Sequence, residues 1–258
     1  MSAIDDKEVV QKQYENATNL NTRISIHDKY SVNKQGFGNW IVSNYRIIDG
    51  MKILELGCGT GDMWKNHISL LNKCSLVLTD ISEGMLETAR KNIRNLHNVT
   101  YQIVDIQDIP FESNSFDIVI ANMMLYHVPD LKKGLSEVKR VLKEGGSFYC
   151  ATYGEHGIVP FIDDLLKPYG AEAQINKNFT LQNGKQILAP YFSSIEMQEY
   201  MDSLEVTNID DMLDYLNSLT GMTSINSINR DIIKKVLEQN MVDGILKVPK
   251  EYGMFICK

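Results

Sequence analysis

Residues 51–61 read MKILELGCGTG, and this stretch decides the fold. The apolar run at 51–56 predicts a short buried strand, and the glycines at 57, 59 and 61 predict a tight turn directly after it. Trp64, Ile68 and Leu71 then recur at the spacing of one helix face. A strand that enters a helix through a glycine-rich turn is typical of nucleotide-binding α/β sheets.

The alternation of strand and helix continues through residue 152. Four further strands are predicted from apolar runs at 75–80, 99–104, 117–121 and 147–152. Helical spacing marks the segments between them: Leu86, Ala89 and Ile93 after the predicted N-cap Ser82, then Leu131, Leu135, Val138 and Leu142 before Gly145–Gly146. Such alternation predicts a doubly wound α/β core whose parallel strands are joined by right-handed crossovers.

Two segments flank this core. Residues 1–48 are expected to form an N-terminal helical cap, with apolar residues at Val9, Val10 and Tyr14 and again at Phe37, Trp40, Ile41 and Tyr45. Residues 206–243 are expected to be a helical insertion that forms a lid. The core would then comprise 49–205 and 244–258, within a single domain spanning 1–258.

Composition excludes several classes of protein. The 258 residues are 43% hydrophobic and carry a net charge of −7, which is typical of a globular chain and disfavours a nucleic-acid partner. Cys58, Cys74, Cys150 and Cys257 show neither a disulfide framework nor zinc spacing, and no His/Asp/Glu group suggests a metal. Without an apolar signal core or membrane span, a cytoplasmic protein with no membrane partner is predicted.

The glycine turn and the strand after it indicate the kind of ligand. The dinucleotide fingerprint begun at Gly57 requires glycine at position 62, where this chain has Asp62, which counts against a nicotinamide cofactor. Asp80 ends the second strand, and a carboxylate there accepts hydrogen bonds from the hydroxyls of a ribose. With Ser82 available as the helix cap, we expect Asp80 to be free for this role.

These residues resemble the class I S-adenosylmethionine-dependent methyltransferases. The resemblance rests on the motif ELGCGTG at 55–61 and extends over roughly residues 50–152, through LTDISEGML (78–86), DIQDIPF (105–111), SFDIVIAN (115–122) and LKEGG (142–146). It implies the Rossmann-like, seven-stranded, mostly parallel sheet of that family. It also implies S-adenosylmethionine as cofactor and S-adenosylhomocysteine as product.

The resemblance assigns cofactor-binding residues position by position. Those of the glycine turn are Glu55, Gly57, Cys58, Gly59 and Gly61. Those expected at the ribose and adenine are Asp80, Ile81, Met85, Asp105, Ile106 and Gln107, and those expected near the sulfonium are Asn122 and Met123. Core packing is the alternative for Met85 and Met123.

The N-terminal segment is similar to a set of bacterial relatives that share a polar pattern. It includes Asn19, Leu20, Asn21, Arg23, Ile24, His27, Tyr30, Ser31 and Asn33. We expect Arg23 to pair with the carboxylate of the cofactor, with Tyr30 beside it, because a guanidinium binds carboxylates in a fork geometry. Ordinary capping and surface roles are the alternative for these polar residues.

The acceptor is less well defined by sequence. Methyl transfer from a sulfonium requires mainly alignment, and a base only where the acceptor loses a proton. His127 in YHVPD is the candidate base, with Tyr126 and His27 as lesser ones. Asn122 is followed by Met-Met-Leu where amino-methylating enzymes carry Pro-Pro-Tyr, so a small-molecule acceptor is expected. RNA or protein methylation, a non-catalytic S-adenosylmethionine-binding module and a homodimer are left open.

Overall fold

The computed structural model describes residues 18–93, 96–172, 175–219 and 224–258. Seven strands form the central sheet and two form a small separate sheet. In chain order they are β1 (Lys52–Leu56), β2 (Ser75–Asp80), β3 (Val99–Ile103), β4 (Phe116–Ile120), β5 (Leu142–Tyr153), β6 (Ile195–Tyr200), β7 (Ser203–Val206), β8 (Leu246–Pro249) and β9 (Tyr252–Cys257). The predicted helical stretch at Val9, Val10 and Tyr14 lies outside the described residues.

The central sheet has the strand order β3-β2-β1-β4-β5-β9-β6. Strands β1 to β5 pair in parallel, and β9 runs antiparallel to both β5 and β6. The predicted doubly wound, seven-stranded, mostly parallel sheet is therefore confirmed. Strand order reverses between β1 and β4, and ligands of such sheets bind at the carboxyl ends of the strands beside this reversal.

Helices cover both faces of the sheet. They are α1 (Thr18–Tyr30), α2 (Phe37–Ser43), α3 (Asp62–Lys65), α4 (Ile68–Leu71), α5 (Glu83–Ile93), α6 (Leu131–Val141), α7 (Ile158–Leu166), α8 (Gly184–Leu188), α9 (Ile209–Ser218) and α10 (Arg230–Gln239). Short 3₁₀ turns occur at Leu125–His127, Lys167–Tyr169 and Ser224–Ser227. Within the described ranges, no helix is both long enough and apolar enough to cross a bilayer.

Burial explains why the central strands read as continuous apolar runs. Leu54 and Val119 are fully buried in the cluster on one face of the sheet, and Ile53 and Ile118 lie in the cluster on the other face. A strand covered on both faces has no solvent side that would need polar residues. A third apolar cluster joins α1, α7, α9 and α10 to the small sheet of β7 and β8.

Three local features differ from the sequence expectation. The predicted helix through Trp64, Ile68 and Leu71 is two short helices, α3 and α4, interrupted at Asn66–His67. Helix α6 ends at Val141, before the glycines, because residues 142–146 already belong to β5 and form an irregularity opposite β4. The residues around the insertion pair as β7 and β8, apart from the main sheet.

A buried ion pair ties the end of α1 to these strands. The Lys250 ammonium group binds the Asp202 carboxylate, and both side chains are almost inaccessible to solvent. Lys250 also donates to the Ser31 hydroxyl at 2.9 Å, and the Asn33 amide donates to Asp202 at 2.9 Å. A buried charge requires such partners, so this cluster fixes the chain that leaves α1.

Candidate functional site

A cavity of about 840 Å³ opens at the carboxyl ends of the parallel strands. Its walls come from the glycine turn, the ends of β2 and β4, the loop after β3, and residues of α1, α9 and β9. The predicted site residues that line it are Arg23, Gly57, Cys58, Gly59, Asp80, Ile81, Met85, Asp105, Ile106, Gln107, Asn122, Met123 and His127. Glu55, Gly61 and Tyr30 are not among the lining residues.

The glycine turn has two distinct roles. Gly57 has a φ of 70°, and a Cβ there would lie 2.9 Å from Cγ of Met124, so a side chain is excluded by both conformation and space. Gly61 has a φ of 68° at the N-cap of α3, and a Cβ there would lie 2.8 Å from Cδ1 of Ile93. Gly57 therefore shapes the cavity, whereas Gly61 permits α5 to pack against the turn.

Asp80 connects the turn to the next helix. Its Oδ2 accepts a hydrogen bond from the Gly59 amide at 2.9 Å, and its Oδ1 accepts one from the Ser82 amide at 2.9 Å. Burial raises the pKa of Asp80, and these amide bonds oppose that rise. Asp80 was expected to make no backbone hydrogen bonds, but it makes these. Ser82 does cap α5 as expected, because its hydroxyl accepts a hydrogen bond from the Met85 amide. The Ile81 amide also bonds to the Asp80 carboxylate, so three of its acceptor positions are used within the chain and at least one is left for a ligand hydroxyl.

The loop after β3 forms a compact polar turn on the cavity wall. Oδ1 of Asp105 accepts from the Gln107 amide at 2.9 Å, and the Gln107 side-chain oxygen accepts from the Asp130 amide at 2.9 Å. Ile106 is buried between them. The two polar side chains are consequently held in fixed positions beside an apolar surface, which suits a flat heteroaromatic ring with polar edges.

Asn122 and Met123 follow the end of β4 in a constrained conformation. The Asn122 amide donates to the Tyr45 hydroxyl at 2.7 Å, and its oxygen accepts from the Ala151 amide at 3.1 Å. Met123 has a φ of 53°, which is uncommon for a residue with a side chain. Since such backbone strain is concentrated at functional sites, the structure supports this strand end as part of one.

Glu55 lies behind the cavity rather than on its wall. It is only 3% exposed, and its carboxylate accepts a hydrogen bond from Nε1 of Trp64. Burial raises the pKa of Glu55 to about 7, with the Trp64 bond opposing the shift and the Asp80 charge adding to it. Glu55, which the resemblance assigns to cofactor binding, therefore belongs to the layer of residues behind the cavity wall.

The two predicted N-terminal residues differ in position. Arg23 lines the cavity, and its Nη2 donates to the backbone oxygen of Ser218 at 2.6 Å. Its Nε is buried and has no hydrogen-bond partner in the described part of the chain. Tyr30 instead donates its hydroxyl to Asp211 on α9 at 2.6 Å, so it joins two helices and lies off the cavity wall. These contacts do not support the expected placement of Tyr30 beside the cofactor, which stays a prediction.

Aromatic side chains also line the cavity, and sequence reasoning assigned only some of them. His127 lies there beside Tyr126, with ring centroids 4.5 Å apart, and Tyr126 contacts Tyr153 at 4.6 Å. Tyr215 from α9 and Tyr252 from β9 complete this part of the wall. No sequence signal marks these tyrosines as a group, because they come from segments far apart in the chain.

Comparison with known proteins identifies the domain type. A family model described as a methyltransferase domain matches residues 47–209, which is more than half of the chain. The demethylmenaquinone methyltransferase of Staphylococcus aureus is 33% identical over 147 residues, covering 56% of this chain and 60% of that protein. The ubiquinone/menaquinone biosynthesis C-methyltransferase of Pasteurella multocida is 36% identical over 124 residues, covering 46% of this chain and 45% of that protein.

The chain spans about three fifths of the length of the first curated relatives that it matches. Among solved structures, phosphoethanolamine N-methyltransferase 2 of Haemonchus contortus, in complex with S-adenosylmethionine, is similar with a TM-score of 0.60 at 19% identity. That comparison covers 100% of this chain and 60% of the other. At this level of identity, the likeness establishes the fold.

Proposed function

Because the chain belongs to the class I S-adenosylmethionine-dependent methyltransferases, we propose that it transfers the methyl group of this donor to a small molecule. One observation carries the proposal: the glycine turn, Asp80 and the Asp105–Gln107 loop line a single cavity at the carboxyl ends of adjacent parallel strands. This is where doubly wound sheets bind nucleotide-like ligands.

The residues present fit the donor. Asp80 offers a carboxylate lone pair to a ribose hydroxyl, and the apolar Ile81 and Met85 beside it suit the face of an adenine ring. Asp105 and Gln107 supply polar atoms for the edge of that ring. The unpartnered Nε of Arg23 suits the carboxylate of the methionine part. The roles of these residues remain part of the proposal.

Catalysis then depends on positioning within the cavity. When bound, S-adenosylmethionine supplies an activated methyl group on a sulfonium. Alignment of a nucleophile with that methyl contributes roughly 7–11 kcal/mol in well-oriented reactions. We propose that the N-terminal cap at 1–48 and the insertion at 206–243 cover the cavity and exclude water, since Arg23 from the one and Tyr215 from the other lie on its wall.

A small acceptor is supported by the size and lining of the cavity. Its volume of about 840 Å³ is near the upper end of the range for small-molecule sites, which leaves room for a donor and an acceptor. The relatives named for quinone biosynthesis suggest a quinone-like acceptor. We propose a quinone-like acceptor on this ground, and only a part of each relative aligns with this chain.

Donor binding is tested by calorimetry with S-adenosylmethionine and, separately, with NADH. We expect binding of the first alone, and Asp80→Ala to weaken it by about 1–3 kcal/mol, the cost of losing hydrogen bonds to a charged group. Asp80→Asn serves as the matched variant that keeps the side-chain size but only one of the two turn bonds, because its single side-chain oxygen can accept from Gly59 or from Ser82. Binding of NADH, or unchanged affinity in Asp80→Ala, would contradict the proposal.

Acceptor class is tested with methyl-labelled S-adenosylmethionine added to a cell extract. After acid precipitation, label in the soluble or solvent-extractable fraction is the expected result. Label in the precipitate that nuclease or protease then releases would indicate RNA or protein as the acceptor. Donor binding with no transfer into any fraction would favour the non-catalytic module.

A further inference from the structure

The cavity has two chemically different halves. Polar and charged groups at the ends of β1, β2 and β3 form the half that the proposed donor occupies. His27 from α1, Tyr215 from α9 and Tyr252 from β9 belong to the other half, and we call these three residues the aromatic wall. Since β4 and β5 lie between β1 and β9 in the sheet, Tyr252 on β9 is displaced from the strand ends of the donor half.

The rings of the aromatic wall contact one another edge to face. The His27 ring centroid lies 6.1 Å from that of Tyr215 with an interplanar angle of 75°, and 5.8 Å from that of Tyr252 with an angle of 72°. Ile24, Ile158 and Leu219 line the same cavity and add apolar surface. Flat faces with apolar surroundings favour a flat conjugated ligand, because aromatic pairs prefer offset or edge-on contacts.

One hydrogen-bonding atom of the aromatic wall is left without a protein partner. Nδ1 of His27 is buried and makes no hydrogen bond to any residue in the described ranges. The Tyr215 and Tyr252 side chains line the same cavity. Burying a polar atom without a partner costs free energy, so Nδ1 of His27 is expected to bind an oxygen atom of a ligand.

The aromatic wall is uncharged at neutral pH. Burial and the nearby Lys250 lower the pKa of His27 to about 3, while Asp202 opposes the shift. Burial raises the pKa of Tyr215 to about 12 and that of Tyr252 well above its usual value. The charged groups around the wall are Arg23, Asp28, Lys250, Asp202 and Glu251, and the Lys250–Asp202 pair beneath it is internally neutralised.

We propose that the aromatic wall is the methyl-acceptor subsite, and that the acceptor is a flat, uncharged conjugated ring bearing a hydroxyl or carbonyl oxygen. His27 binds that oxygen as a neutral imidazole and is a specificity-determining residue. A protonated imidazole there would repel the cationic donor, so its neutrality serves the reaction. The assignment rests on the proposed function, because it takes the donor half as occupied by S-adenosylmethionine.

The test measures binding of three naphthalenes to the full chain saturated with S-adenosylhomocysteine, using the fluorescence of the probes. The probes are 1-naphthol, the ring without a hydrogen-bonding group (1-methylnaphthalene) and the charged ring (1-naphthoate). We expect 1-naphthol to bind about tenfold more tightly than either other probe, the factor that one hydrogen bond contributes. Because His27 stays neutral, that preference should not change between pH 5.5 and 8.

Variants then show which residues cause the preference for 1-naphthol. His27→Ala is expected to reduce the ratio of 1-naphthol to 1-methylnaphthalene affinity to near one, and His27→Gln to retain part of it. The exposed His97 provides the matched control, since His97→Ala should leave the ratio unchanged. Tyr215→Phe keeps the ring and should lower only the 1-naphthol affinity, which gives a second reading should His27→Ala fail to fold.

Several results would overturn the assignment. The first is that 1-naphthoate binds most tightly, and the second is that no probe binds beside S-adenosylhomocysteine. The third is that the ratio of 1-naphthol to 1-methylnaphthalene affinity is unchanged in both His27→Gln and Tyr215→Phe. The fourth is that this ratio is lost in His127→Ala but kept in His27→Ala. In each case the proposed function stands, because the donor product binds. Failure of S-adenosylhomocysteine itself to bind would instead reject the proposed function, and the acceptor subsite with it.

Discussion

The Glu55 carboxyl group provides a sharp test of the electrostatics beneath the site. Its pKa is about 7 in the folded protein because it is buried, against 4.5 as its ordinary value. The folded state therefore holds a proton that the unfolded state has lost between these two pH values. The contribution of this proton to the free energy of unfolding is fully present below pH 4.5 and is lost progressively as pH rises through 7.

The magnitude follows from the shift. A rise from 4.5 to about 7 is about 2.5 pH units, which at 1.36 kcal/mol per unit is about 3 kcal/mol above pH 7. Glu55→Gln removes the titration while keeping an oxygen that accepts the Trp64 bond. We expect the free energy of unfolding of the variant, relative to the original chain, to increase by about 3 kcal/mol between pH 4.5 and pH 8.

Urea denaturation at several pH values measures this difference. Other titrating groups are common to both chains, so they cancel when the variant is compared with the original at each pH. Glu112→Gln, at an exposed position, is the matched control for the loss of one carboxylate. A difference for Glu55→Gln that does not change with pH would refute the assignment of a raised pKa to Glu55.

Three further results are expected. In urea denaturation, Gly61→Ala should destabilise the fold by about 1–3 kcal/mol more than Gly50→Ala. Both glycines have positive φ, but only the Cβ added at Gly61 would meet a neighbouring side chain, that of Ile93; equal losses would contradict this. Arg23→Ala should weaken binding of S-adenosylhomocysteine about tenfold or more in calorimetry but not that of 5′-methylthioadenosine, which lacks the carboxylate; equal weakening would remove Arg23 from that role. The pKa of His27 is lowered from 6.5 to about 3, so the original chain should lose about 2 kcal/mol of stability relative to His27→Gln as pH falls from 6.5 to 4.5, and parallel pH profiles would refute it.

That the glycine turn, Asp80 and the loop after β3 line one cavity was predictable, because these segments follow one another along the chain. The turn after β1 and Asp80 at the end of β2 each adjoin a strand whose pattern is clear, and parallel strands bring their ends together. Sequence position does not reveal side-chain direction, however. Glu55 and Gly61 match the motif as well as Gly57 does, yet Glu55 lies behind the cavity wall and Gly61 permits the packing of α5.

The aromatic wall was not predictable in the same way. His27, Tyr215 and Tyr252 belong to the cap, the insertion and the last strand, and only tertiary packing brings them together. Isolated tyrosines on amphipathic segments are indistinguishable from ordinary core residues. The same reason explains Tyr30, whose partner Asp211 lies on a helix that no local pattern links to α1.

Helix α1 is anchored at its C-terminal end. Near Ser31, the Lys250–Asp202 pair and the backbone of β7 fix the chain, and Lys29 and Tyr30 both bind Asp211. Earlier on the same helix, Arg23 and His27 line the cavity. A substitution that weakens the anchor, such as one at Asp211, is therefore expected to shift both side chains and to change ligand affinity from a position outside the cavity wall.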